Sequence, residues 1–285
     1  MTWVVAVVAA CSVLASGIAT RHVRRHLLHG SDAVPVLMMV PVYSAEALMA
    51  VACPPWAPLL EALRSAYEAY VLYAFLRMMV RRLHTGLPGV PHVWPVSRVL
   101  RSWEGDRFLC RCVRGTLQYS LLMAPAAVAT LACWGANVYE KPSHFSPRAA
   151  YPWLALVRNA SQLLAMYSLL LFYRAARAPL RPFRPLGKFA ALKGIVFFTF
   201  WQGVLVTYLG WRGALPAGLA AAPAQRASAL KHLLIAVEMV GFALQHRCVF
   251  PLSDFPVTAV FHLQSDGMTV RSLWDGMWSP EYGEL

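Results

Sequence analysis

Apolar residues arrive along this chain in seven long runs, separated by segments where Arg, Lys, Pro and Gly collect. A hydrocarbon layer of about 30 Å is crossed by a helix of about 20 apolar residues. The runs therefore predict spanning helices at 2–20, 34–53, 59–80, 112–134, 151–173, 189–209 and 230–250. The third run, LLEALRSAYEAYVLYAFLRMMV, differs from the others in carrying Glu61, Arg64 and Glu68. At about 100° per residue these three fall within about 60° of one another, one narrow polar stripe on a helix. A charge at bilayer depth costs at least about 2.5–3.5 kcal/mol and is relieved by partners inside a bundle. The stripe should thus face protein, with Arg64 between Glu61 at i−3 and Glu68 at i+4, and with the remaining negative charge matched from other helices.

Composition agrees with this pattern: 58% of residues are hydrophobic and 14% charged, and the mean hydropathy is +0.49. The fold class is an all-α integral membrane protein, a seven-transmembrane-helix bundle over residues 1–250 with a short cytoplasmic tail at 251–285.

A net charge of +13 and a pI of 9.9 would suit a nucleic-acid partner, but the distribution of the charge argues against one. Basic residues concentrate in alternate connectors: Arg21, Arg24 and Arg25 in the first, Arg81 to Arg111 in the third, Arg174 to Lys188 in the fifth. The second connector, CPPWAP, has none, and the fourth and sixth hold two each. Under the positive-inside rule the basic connectors are cytoplasmic, which places the N-terminus outside and the C-terminus inside. The first run lacks a basic N-terminal flank and is followed by RHVRRH, the reverse of a signal peptide, so it is expected to remain as a span.

Polar residues inside the other runs supply the candidate chemistry. Pro41 interrupts the second run and Glu46 lies near its mid-depth. Arg158, Asn159 and Gln162 share a face of the fifth, and Gln202 and Glu238 lie deep in the sixth and seventh, with Lys193 close enough to the cytoplasmic end to snorkel. Compared by depth, Glu46, Glu68, Arg158, Asn159, Gln162 and Glu238 fall in the middle to outer bilayer, with Glu61 and Arg64 just above them. The expectation is a polar cavity or buried ion network, weighed against purely structural contacts between helices. His22, His26 and His29 stand among arginines that oppose a metal cation, and read as a solvated basic loop near acidic headgroups. Cys110 and Cys112 are candidates for S-palmitoylation at the membrane surface. Cys53 and Cys133 share the outer side, which leaves a disulfide open.

Six segments together resemble the organic solute transporter alpha subunit and its transmembrane-protein-184 relatives. They are PVYSAEAL (41–48), RSAYEAYVLYAFL (64–76), GTLQYSLLMAP (115–125), NASQLLAMYSLLLFY (159–173), KFAALKGIVFFTFWQGVL (188–205) and VEMVGFALQHRCVFP (237–251). The resemblance covers most of the chain and is nearer the transmembrane-protein-184 branch. It marks Glu46, Arg64, Tyr67, Glu68, Gln118, Asn159, Lys193, Trp201, Gln202 and Glu238 as site positions. Ser65 departs from a common Asp, Arg158 from a common Tyr, and a cysteine-rich stretch is reduced to Cys110 and Cys112.

The expected function is a facilitative carrier for amphipathic organic solutes, such as steroid or bile-acid-like anions or lipids, in the plasma membrane or an endomembrane. Arg64 and Arg158 would attract an anionic head, and Glu46, Glu68 and Glu238 would hold those arginines or exchange protons. Membrane lipids and the solute are the expected partners, with a single-span accessory subunit or a homo-oligomer implied by the resemblance. A seven-helix receptor or scaffold is the alternative. No HExxH or GxSxG occurs, so no enzyme, cofactor or metal centre is expected.

Overall fold

The computed structural model describes residues 2–85, 106–136, 150–220 and 223–255. The prolines of the third connector, Pro88, Pro91 and Pro95, lie outside these residues, as do Trp274 and Trp278 of the tail. The described elements are helical: α1 Thr2–Leu28, a short α2 Val34–Leu37, α3 Met39–Ala52, α4 Ala57–Thr85, α5 Asp106–Gly135, α6 Ala150–Leu180, α7 Pro185–Trp211 and α8 Pro223–Val249. The break between α2 and α3 is explained by Pro41, which has no N–H to give to the Leu37 carbonyl four residues back. The chain resumes its ladder immediately, with Val42 N–H bonded to Met38 O at 3.1 Å.

Six helical stretches are long and apolar enough to cross a membrane: Thr2–Leu28, Val34–Ala52, Cys110–Cys133, Pro152–Phe183, Pro185–Trp211 and Gln225–Val249. Helix α4 is not among them, because every eighteen-residue stretch of it holds at least three charges. Its 29 residues make it about 43 Å long, enough to span by length. It is also a core helix, with Leu72, Leu76, Met78 and Met79 fully buried and Arg64 and Arg82 each 8% exposed. It packs against α3, α5 and α6.

Small side chains allow the closest approaches. Val4, Val8, Ser12, Ala15, Ala19 and Val23 repeat every three or four residues along the buried face of α1. That face meets α3 and α8, where Ala229, Ala236 and Ala243 are buried in turn. Helix α5 lies along α6, and Gly115 is required there: a Cβ at this position would sit 2.1 Å from Ser168 Oγ. By contrast, α6 is the least enclosed of the candidate spans, with 17% of its apolar window buried.

At one end of the bundle the basic residues are tied into the fold. Lys188, 1% exposed, pairs with Asp254 and donates to Phe183 O at 2.7 Å. Arg82 stacks over Phe183 and Phe255, and Arg81 pairs with Asp32. Here the structure corrects the expectation for RHVRRH: residues 21–28 continue α1, and His26 is fully buried, 2.9 Å from Ser31 Oγ and 3.2 Å from Phe250 O. An imidazole offers two hydrogen-bonding atoms on an apolar ring, so it can join two chain ends without an ionic partner.

Candidate functional site

In the half of the bundle away from that basic end, α3, α4 and α8 bring seven polar side chains together. Tyr43 and Glu46 come from α3, three residues apart and so on one face; Glu61, Arg64 and Glu68 form the predicted stripe of α4; Lys231 and His232 come from the start of α8. Tyr43, wholly buried, donates to Glu68 Oε1. Arg64 Nε lies 3.7 Å from the same carboxylate, and its guanidinium sits over the Tyr43 ring at 5.0 Å. Glu61 pairs with Lys231 across the helix interface, so its ionic partner is on α8, whereas the sequence placed it on Arg64. His232 Nδ1 is 3.8 Å from Glu46 Oε2.

The cluster is incompletely satisfied. Neither oxygen of Glu46 has a hydrogen-bond partner among the described residues, nor has His232 Nδ1, nor Arg64 Nε or Nη1. Glu46 is 4% exposed and His232 1% exposed. Unpaired polar atoms at this depth are costly, and the cost of an isolated carboxylate is higher still. The attraction among Arg64, Glu46 and Glu68 offsets part of it, since charges interact strongly where water is excluded.

Beside α4, toward the basic end, the surroundings become apolar. Phe75 and Met79 of α4, a face of α6 from Leu163 to Leu180, and Pro185, Leu186 and Phe189 of α7 line a crevice of about 360 Å³. Phe75 and Phe189 of its wall are in contact, with ring centroids 5.9 Å apart. Its basic side continues into a second recess of about 730 Å³ lined by Arg174, Arg177, Arg181 and Arg184, sharing Tyr173, Pro185 and Leu186 with the first. Lys193, one turn beyond Phe189 on α7, is within electrostatic reach of Glu68. The sequence placed it near enough to the cytoplasmic end to snorkel; here it is half-buried.

The remaining sequence-marked residues separate into local contacts. Gln118 Nε2 donates to Ser161 O at 3.0 Å and Gln118 Oε1 accepts from Ser161 Oγ at 2.8 Å, joining α5 to α6. Tyr67 donates to Pro35 O at 2.6 Å, holding α4 to α2. Gln202 and Glu238 interact between α7 and α8. Arg158 and Glu68 both lie within electrostatic reach of Tyr119, which links α6 to the edge of the cluster. Asn159 is exposed and Gln162 half-buried, because α6 turns Ser161, Ala165, Ser168 and Phe172 inward. Among the described residues these positions thus do not form one network. Trp201 is exposed on the outer face of α7. Cys110 is exposed and Cys112 buried; Cys53 and Cys133 are free thiols.

Tyr43, Lys231 and His232 are the members of the cluster that the sequence reading missed. Tyr43 carried a usable signal, its spacing from Glu46. Lys231 and His232 carried none of that kind, since their contacts join residues 170 and 186 positions apart.

Known proteins resemble the chain over most of its length. The family profile described as organic solute transporter Ostalpha matches residues 4–255. A transmembrane protein 184 homolog of Dictyostelium discoideum is 27% identical over 262 residues, covering 88% of this chain and 52% of that protein. Protein LAZ1 homolog 1 of Arabidopsis thaliana is 30% identical over 248 residues, covering 78% and 50%. The chain spans about half the length of these curated relatives. No solved structure matches it.

Proposed function

The chain belongs to the organic solute transporter Ostalpha family, a multi-pass membrane protein, and we propose that it is a facilitative carrier for amphipathic organic anions. The observation that carries this reading is the crevice between α4, α6 and α7. Its walls are apolar, its volume of about 360 Å³ is that of a small-molecule site, and it adjoins a recess lined by four arginines. An amphipathic anion has the matching form, a rigid apolar body with one charged head. The arginines would gather the head at the basic side, and Lys193 would receive it in turn, with Glu68 keeping that lysine within the bundle between passages. The lining of α6 and α7 includes Leu163, Tyr167, Leu170 and Leu186, all exposed on the membrane-facing surface, so a solute could enter from the lipid. That opening suits a carrier better than a ligand receptor.

Counting α4 as a span gives seven crossings. The loop charges then put the basic end in the cytoplasm and the start of α1 outside. Reporter tags at positions 88 and 141 should read inside and outside; the reverse would overturn this orientation.

The experiment is flux in proteoliposomes containing purified protein, with a labelled sulfated steroid and its neutral parent. Met166→Trp, which fills the crevice, should lower sulfated-steroid flux at least about tenfold, the loss of roughly 1.4 kcal/mol of binding, without lowering folded yield. Flux unchanged by this substitution would remove the crevice from the path.

A further inference from the structure

We propose that Glu46, Glu61 and His232 form a binding site for a divalent transition-metal ion of the zinc class, with Lys231 as an internal cation competing for Glu61. The three donors come from three helices, α3, α4 and α8, and their ligand atoms all lie within 4.8 Å of one another. Donors about 2.1 Å from a tetrahedral ion stand about 3.4 Å apart. The His232 Nδ1 to Glu46 Oε2 separation is already 3.8 Å. Side-chain rotation of about 1 Å therefore completes the set without moving a helix.

The independent observation is the state of the donors. Both Glu46 oxygens and His232 Nδ1 are without hydrogen-bond partners among the described residues, at 4% and 1% exposure. Such groups are normally satisfied, and a metal ion satisfies an imidazole nitrogen and two carboxylates at once. The donor chemistry selects the class of ion. Calcium and magnesium take oxygen ligands, whereas one imidazole with two carboxylates suits zinc and its neighbours. Three protein ligands leave a fourth position for water or an anionic group.

Lys231 gives the site its character. Its ammonium pairs with Glu61, and an arriving cation has to displace it. Arg64, also within reach of Glu46, is held by Glu68 and Tyr43 and stays in place. Ion binding would thus exchange a tethered cation for a diffusible one and staple α3, α4 and α8. This inference stands apart from the carrier reading, because the crevice, farther along α4 toward the basic end, contributes none of these ligands.

The test uses the full chain, purified in detergent, stripped with a chelator and titrated with Zn(II) by calorimetry and with Co(II) by visible absorption. Wild type should bind one ion at this site, with the intense bands of a four-coordinate Co(II) centre. Glu46→Gln and His232→Gln should each weaken that ion at least about tenfold, and Lys231→Met should tighten it by about the same factor. All three variants are compared as monodisperse fractions, so loss of folding is not read as loss of binding. Absence of saturable binding overturns the proposal. So does an ion that Glu46→Gln retains and His22→Ala with His29→Ala removes, and so does an affinity that Lys231→Met leaves unchanged.

Discussion

Helix α4 runs through two different environments. From Glu61 to Glu68 it meets α3 and α8 with charges; from Phe75 to Met79 it meets α6 and α7 with carbon. In the charged half Tyr43, Glu46, Arg64 and His232 are buried, while the apolar half borders a crevice of about 360 Å³. The physical reason is the cost of separation. Charges removed from water need partners at short range, so the helices bearing them are pulled into contact. Apolar walls facing lipid tails lose far less by standing apart, since the tails are as apolar as the side chains. One helix can therefore fix the bundle with one half and leave room for a solute beside the other.

The largest expected effect tests the charged half. Arg64→Leu leaves Glu46 and Glu68 without their shared cation and should destabilise the fold by about 3–5 kcal/mol, seen as a lower melting temperature and a smaller monodisperse fraction. Met166→Ala, in the crevice wall, should cost less than about 2 kcal/mol, because its neighbours are already incomplete on one side. If the two variants melt together, the contrast between the halves fails.

Next comes the contact that holds α6 in place from its far side. Gly115→Ala drives a methyl group to 2.1 Å from Ser168 Oγ and 2.9 Å from Ser168 Cβ, so α5 and α6 must part. About 1–3 kcal/mol should be lost, as for other overpacked interfaces, and Ser168→Gly in the same chain should restore most of it. Thermal melts of the two single variants and the double give the coupling directly. Additive losses would mean that the close approach is not what sets this interface.

What could be read from the sequence follows the same division. The stripe Glu61, Arg64, Glu68 was legible because helical geometry alone places its members together. Glu46 was legible because a carboxylate in an apolar run needs an explanation. Pairings across the bundle were not: Lys231 lies near the start of the last apolar run, and only packing sets it against Glu61. His26 was misread because arginines around it suggested solvent, whereas the helix turns it inward. Asn159 sat in a polar trio whose face could not be assigned until α6 was seen to bury Ser161 and Ala165. The crevice had no signature of its own, since an apolar residue facing lipid and one facing a solute look alike in a sequence.

A smaller effect is expected at the basic recess. Arg177 and Arg181 are exposed there, and each cation near a membrane surface attracts an anion by about 1 kcal/mol. Arg177→Gln with Arg181→Gln should therefore lower flux of a sulfated steroid by about tenfold or more at low substrate, with flux of the neutral parent nearly unchanged. Equal losses for both solutes would turn the recess into a structural feature and weaken the carrier reading of the apolar half.

The smallest effect on stability is expected at Glu238, which belongs to neither half. It is half-buried on α8, interacts with Gln202 of α7, and has one oxygen without a hydrogen-bond partner among the described residues. Gln at this position keeps the shape and can still bond Gln202, so Glu238→Gln should change stability by less than about 1 kcal/mol. Glu68→Gln is the informative companion, because Glu68 accepts from Tyr43 and pairs with Arg64, and losing its charge should lower both folded yield and flux. If Glu238 acts on the moving solute through its charge, flux per folded molecule changes in Glu238→Gln while folded yield does not. A flux per folded molecule equal to wild type would leave Glu238 as a contact between α7 and α8 and confine the working charges to the neighbourhood of α4.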